Sequence, residues 1–218
     1  MSTICVVARA PLLGVAKPKI AEWLGPEFAV KLHGAMLRDT LDGLNAIEAA
    51  RYVTTYLAED GALGALAHHV HPPWELMAQP GRDLASAMHH AVEAFGTGAL
   101  LLVRSDSPAA LTEPIEEALR EVERGDTDVV LAPTEDGGWH FIAMKEPARK
   151  LFEDIPWNTD AVADRTRAIC QELSLRVREL PPTYDVDSQQ DMEKLVAELK
   201  AHPERAPRTA EFLVRNGW

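Results

Sequence analysis

Gly98-Ala99-Leu100-Leu101-Leu102-Val103-Arg104-Ser105-Asp106-Ser107-Pro108 is the stretch on which the reading of the fold turns. The apolar run Ala99–Val103 is too short for a helix of its own and is bounded by turn-forming residues. That pattern predicts a strand buried on both faces, as in a parallel sheet. The run stops at Ser105-Asp106-Ser107-Pro108, where Pro108 blocks further strand pairing. Ligands of open α/β sheets bind just beyond the carboxyl ends of the strands. Asp106 therefore stands where a carboxylate can hold a metal-bound phosphate; equally, an aspartate there can cap a following helix.

Strands and helices alternate on either side of this stretch. Thr3–Ala8 reads as a first, central strand. Arg9–Lys19 then reads as a loop punctuated by Pro11, Gly14 and Pro18, with Arg9, Lys17 and Lys19 as its cations. Three cations just after a strand can cradle a polyphosphate, or can be solvated surface charges. It is not a Walker loop, and no Gly-x-Gly-x-x-Gly occurs, which disfavours an NAD-dependent oxidoreductase. Periodicity predicts helices over residues 26–47, 84–95, 113–124, 161–173 and 191–199, and strands over 52–57, 128–132, 139–144 and 176–180. Between the strands at 128–132 and 139–144, Glu135-Asp136-Gly137-Gly138 reads as backbone approaching a ligand or as a tight hairpin. His68, His69 and His71 point in different directions without a carboxylate or cysteine partner, so they make a poor metal site. Ser188, three residues before Asp191, carries a helix-capping signature.

The 218 residues carry a net charge of -12 and are 46% hydrophobic and 26% charged. That composition suits one large α/β domain spanning 1–218 and argues against non-specific binding to nucleic acid or an anionic membrane. Cys5 and Cys170 form no disulfide framework, which fits a reducing cytoplasm. No apolar run approaches the ~20 residues of a membrane span, and no signal-peptide pattern precedes the first strand.

Five motifs in order carry a resemblance. They are Ala8-Arg9-Ala10-Pro11-Leu12-Leu13-Gly14-Val15-Ala16-Lys17-Pro18-Lys19-Ile20, then Arg104–Pro108 with Leu111, Pro133–His140, Ile155–Thr159, and Tyr184–Ser188. Together they resemble the GT-A-fold glycosyltransferase-like family DUF2064, within the nucleotide-diphospho-sugar transferase superfamily. The resemblance implies a three-layer Rossmann-like GT-A fold, a mostly parallel central sheet flanked by helices. It implies nucleotide contacts from Ala8, Arg9, Lys17, Lys19, Ser105, Gly137 and Gly138. Asp106 and Asp187, with Asp185 as a further candidate, would hold Mg²⁺ or Mn²⁺, while Asp136 and Asp106 would serve the chemistry.

The activity so implied is metal-dependent transfer from a nucleotide-activated donor, with glycosyl transfer from an NDP-sugar to a small-molecule acceptor first. The alternatives are a nucleotidyltransferase using an NTP and a nucleotide-binding protein that has lost its chemistry; a homodimer is compatible with each. Three departures from the family pattern bear on that choice. Lys17-Pro18-Lys19 stands for Lys-Thr-Arg and loses the arginine fork. Asp83–Met88 lacks the usual glycine and arginine, and His140 replaces a tyrosine. They imply either a shifted donor preference or a weakened activity.

Overall fold

The computed structural model describes residues 2–55, 61–78, 83–109 and 112–218. Among these residues seven strands form one sheet: β1 (Thr3–Ala8), β2 (Ala50–Thr55), β3 (Glu75–Met77), β4 (Leu100–Arg104), β5 (Val129–Pro133), β6 (Trp139–Met144) and β7 (Val177–Glu179). Their order is β3-β2-β1-β4-β6-β5-β7. β1 pairs in parallel with β2 and β4, β2 with β3, and β5 with β7; β6 alone runs antiparallel, against β4 and β5. The sheet is therefore mostly parallel, as the sequence predicts. β4 itself, however, has a parallel neighbour on one side only.

Alternation along the strands decides which helix covers which face. Leu101 and Val103 join Ile4, Val6, Leu37, Leu41 and Leu119 in one core, beneath α2 (Pro26–Leu44), α3 (Ala62–Ala67) and α5 (Thr112–Arg124). Leu100 and Leu102 point the other way, to Cys5, Met88, Phe152 and Ile169, beneath α4 (Leu84–Ala94) and α6 (Val162–Glu172). Burying a leucine side chain contributes about 1.5–3 kcal/mol, so both faces of β4 are stabilised and its register is fixed. A third core joins α1 (Pro18–Leu24), the rear of α2, α7 (Gln189–Ala201) and α8 (Pro207–Arg215) through Ile20, Leu32, Met36, Met192 and Leu213.

Several boundaries shift from the sequence reading. Lys19 lies inside α1, because Pro18 suits the first helical position; the loop ends at Lys17. β3 was not anticipated: three residues on a sheet edge carry too little period for recognition. Residues 56–60, 79–82 and 110–111, which include Leu57 of the expected second strand and Leu111 of the second motif, lie outside the described residues. Among the described residues, no helix is long and apolar enough to cross a membrane.

Candidate functional site

β1 runs between β2 and β4, and the chain reverses its direction of sheet growth there. Such a switch point opens a crevice at the carboxyl ends of the strands. Here it is a cleft of about 340 Å³, lined by four cations (Arg9, Lys17, Lys19, Arg104) and four carboxylates (Asp106, Asp136, Asp160, Asp187). Its opposite wall is apolar and aromatic, with Leu84, Trp139, Trp157 and Val162.

Three distant segments meet at the charged end. The amide of Val186 donates to the Asp106 carbonyl at 2.9 Å, which binds the segment before α7 to the end of β4. Asp106 does not cap α5, which starts at Thr112. Its carboxylate instead accepts from the Lys17 ammonium and, at 2.9 Å, from Arg104 Nη2. The same ammonium donates to Asp187 Oδ1 at 2.9 Å. Ser188 is the true cap of α7, in a reciprocal capping box with Asp191, which leaves the Asp187 side chain to the cleft. Asp185 turns inward, accepting from Ser107 Oγ at 2.8 Å and facing Arg104 at 3.7 Å.

Lys17 and Asp106 are almost dry, with side chains 3% and 9% exposed, whereas the Asp187 side chain is 46% exposed. Burial alone would lower the lysine; the Asp106 and Asp187 carboxylates override it and hold the ammonium above the usual range. Burial likewise opposes ionisation of Asp106, and the Lys17 and Arg104 charges overcome it, pushing the carboxyl well below the usual range. Burial raises Asp185 to about 6 despite Arg104. Lys17 has a left-handed φ of 46°, a conformation that costs a non-glycine residue about 1–3 kcal/mol and persists only when its surroundings enforce it. Its ion pairs to Asp106 and Asp187 help to hold it there.

At the β5–β6 turn, Asp136 Oδ1 accepts from Thr134 Oγ1 at 2.5 Å and from the Gly138 amide at 3.1 Å. The hairpin of the sequence reading is present, and it carries the Asp136 carboxylate on the cleft lining. Gly137 has φ +86°, and a Cβ there would lie 2.0 Å from the Asp160 carbonyl oxygen.

Of the expected site residues, Arg9, Lys17, Lys19, Asp106, Asp136, Gly138 and Asp187 line the cleft. Ala8, Ser105 and Gly137 do not: Ala8 and Ser105 are buried in the sheet end, and Gly137 packs against the backbone of the segment before α6. Arg104 and His33 were missed. His33 is a buried polar residue on the apolar face of α2, and that misplaced polarity was its available signal. Its Nε2 lies 2.8 Å from the Arg9 carbonyl, so that nitrogen carries the proton and donates. Burial, then the Lys17 charge, lowers the ring's pKa below the usual 6.5. Among the described residues no group of three or more His, Cys, Asp or Glu side chains is placed to hold a metal ion.

His140 is buried behind the cleft, and burial, then the Arg104 charge, lowers it from 6.5 to about 4. Because the folded value lies below the unfolded one, its stabilising contribution is complete above pH 6.5 and is lost as pH falls toward 4. Between pH 7.5 and 5 the wild type should lose about 2 kcal/mol more stability than His140→Gln. Urea unfolding at the two pH values measures the difference; parallel losses would remove His140 as the cause.

The crevice at a switch point, floored by β1 and β4 and closed by an antiparallel β6, defines a Rossmann-like α/β fold of the nucleotide-diphospho-sugar transferase kind. The chain belongs to DUF2064, a family of uncharacterized proteins conserved in bacteria, whose model matches residues 41–159, more than half its length. A phosphoenolpyruvate guanylyltransferase from Nocardia farcinica is 29% identical over 130 residues, 54% of either chain, so the match spans about half the length of that relative. A crystal structure from Desulfovibrio desulfuricans G20, provisionally described as a nucleotide-diphospho-sugar transferase, superposes with a TM-score of 0.88 at 26% identity. It covers 99% of this chain and 94% of its own. A manganese complex of a Mycobacterium tuberculosis H37Rv protein shares the fold at TM-score 0.52 and 17% identity, covering 90% of this chain and 98% of its own.

Proposed function

We infer that residues 1–218 act as one domain that transfers a nucleotidyl group from a nucleoside triphosphate to a small phosphorylated acceptor. The observation carrying this reading is the convergence of Lys17, Arg104, Asp106 and Asp187 at the switch-point cleft. The guanylyltransferase relative supports nucleotidyl transfer in particular. In that reaction an acceptor phosphate oxygen attacks the α-phosphorus, the bond from the α-phosphorus to the bridging oxygen of the β-phosphate breaks, and pyrophosphate leaves with the electron pair. Lys17, Arg104 and Lys19 would neutralise the departing charge. Asp136, fixed by Thr134 and Gly138, would orient the acceptor against the Trp139 and Trp157 wall.

Asp106 and Asp187 suit Mg²⁺ or Mn²⁺. Their oxygens converge on one cation position, and Mg²⁺ typically takes one or two carboxylates with substrate phosphates completing the shell. The ion would draw negative charge from the phosphates as the leaving group departs. Glycosyl transfer from an NDP-sugar is the second reading, favoured by the full-length likeness to the Desulfovibrio protein.

The two part on product. With Mg²⁺ or Mn²⁺ and a panel of NTPs and phosphorylated acceptors, nucleotidyl transfer releases pyrophosphate. NDP release from an NDP-sugar would select glycosyl transfer, and neither product from any donor would leave a binding protein. A thermal-shift screen identifies the donor first, because a ligand at 100 times its Kd stabilises by about 2.7 kcal/mol.

A further inference from the structure

The cleft that should receive a polyphosphate carries as many carboxylates as fixed cations, so its own charge gives no net attraction for one. The detail that resolves this lies between Asp106 and Asp187. These carboxylates come from segments 81 residues apart, and one ammonium, that of Lys17, bonds to both. We propose that Lys17 is the cleft's built-in cation. Its ammonium occupies the position that a divalent ion takes when nucleotide is bound, and it moves to the phosphates when the ion arrives.

The inference rests on the metal-assisted nucleotide reading above and deepens it. Three observations carry it. The Lys17 side chain is 3% exposed, so an ammonium displaced from the carboxylates needs another anion nearby rather than solvent; buried charges must be paired. Nucleotide phosphates are that anion. Asp187 is half exposed while Asp106 is enclosed, which gives an entering ion a path over Asp187. The left-handed backbone at Lys17 is a strained conformation that its ion pairs help to hold, and losing them frees the residue to turn. A bare ion must therefore displace a cation that has nowhere to go, whereas an ion arriving with phosphates does not. Metal and nucleotide are coupled, and the coupling is reciprocal by linkage.

The test is Mn²⁺ binding followed by EPR on the full chain, for wild type, Lys17→Met and Lys17→Gln, first with Mn²⁺ alone. Loss of the resident ammonium should raise Mn²⁺ affinity about tenfold, within the usual range of coupling. Adding Asp187→Asn to Lys17→Met should abolish that gain. Lys17→Gln keeps a polar side chain of similar length and serves if the methionine variant fails to fold, judged by its unfolding transition. Mn²⁺ binding no tighter than wild type in folded variants, or absent from all, overturns the exchange. A second arm adds the nucleotide found by the thermal-shift screen. Nucleotide should then tighten Mn²⁺ binding in both proteins, since its phosphates help to ligate the ion, but by about tenfold more in wild type, where the displaced ammonium also gains a partner. If no nucleotide strengthens Mn²⁺ binding in wild type, the nucleotide reading fails, while the Mn²⁺-only comparison still decides whether Lys17 occupies an ion's place.

Discussion

Asp106→Asn is expected to destabilise the chain by about 3–5 kcal/mol at neutral pH, the penalty for removing one partner of a buried ion pair. The substitution keeps the shape of the side chain, so no cavity complicates the result. What it removes is the enclosed charge shared by Lys17 and Arg104, leaving Lys17 to the half-exposed Asp187 and Arg104 to Asp185 at 3.7 Å. Because the folded-state pKa of Asp106 is depressed, its contribution is present above about pH 3.8 and is lost as pH falls below that value. The gap between variant and wild type in urea unfolding should therefore be full at pH 7 and close progressively in strong acid. Metal-dependent nucleotide binding should disappear in the same variant. A variant within 1 kcal/mol of wild type, with nucleotide affinity intact, would take Asp106 out of the site.

Gly137→Ala is the second large effect, and it acts through the backbone. The positive φ of +86° costs a residue with a Cβ about 1–2 kcal/mol. The added methyl would also meet the Asp160 carbonyl oxygen at 2.0 Å, which is backbone and cannot rotate away. Overpacking of that kind adds about 1–3 kcal/mol, for a total of about 2–5 kcal/mol in urea unfolding. The consequence reaches the cleft, because the Ala163 amide donates to the Gly137 carbonyl at 2.8 Å and Asn158, Thr159 and Asp160 line the wall. Ligand affinity should fall along with stability. Gly138→Ala separates the two contributions: its Cβ would meet only side-chain atoms, Thr134 Oγ1 at 2.9 Å and Asp136 Oδ1 at 3.2 Å. It should be the milder of the pair in stability, while still disturbing the Asp136 carboxylate. Equal stability losses in the two variants would contradict this account.

Much of the fold is legible because it is written in local periodicity. Thr3–Ala8 and Trp139–Met144 are strands with the boundaries expected from their apolar runs. The capping signature at Ser188 and Asp191 forms as a pair. That end of the sheet is harder: β2 begins two residues before its sequence reading, and β3, at the edge, lies where no strand is predicted. Short, half-exposed strands owe their existence to a neighbour's unpaired backbone rather than to their own pattern.

The site divides along the same line. Residue type and order marked Arg9, Lys17, Lys19, Asp106, Asp136 and Asp187, because charge at the carboxyl end of a strand has few structural uses in a buried sheet. Ala8, Ser105 and Gly137 entered through the family resemblance and are not on the cleft lining: Ala8 and Ser105 are buried at the strand ends, and the Asp160 backbone lies against Gly137. Arg104 and His33 were passed over because a terminal strand arginine and a helical histidine read as ordinary until their neighbours are known.

What the sequence by itself determined is the α/β alternation, the apolar strands and the set of charges beyond their ends, since these depend on neighbours within a few residues. The tertiary structure alone decided that Lys17 lies between Asp106 and Asp187, and that Asp185 faces Arg104 rather than the cleft. Those pairings span up to 170 residues, and an ion pair over that distance is set by how the layers pack, not by any spacing in the chain.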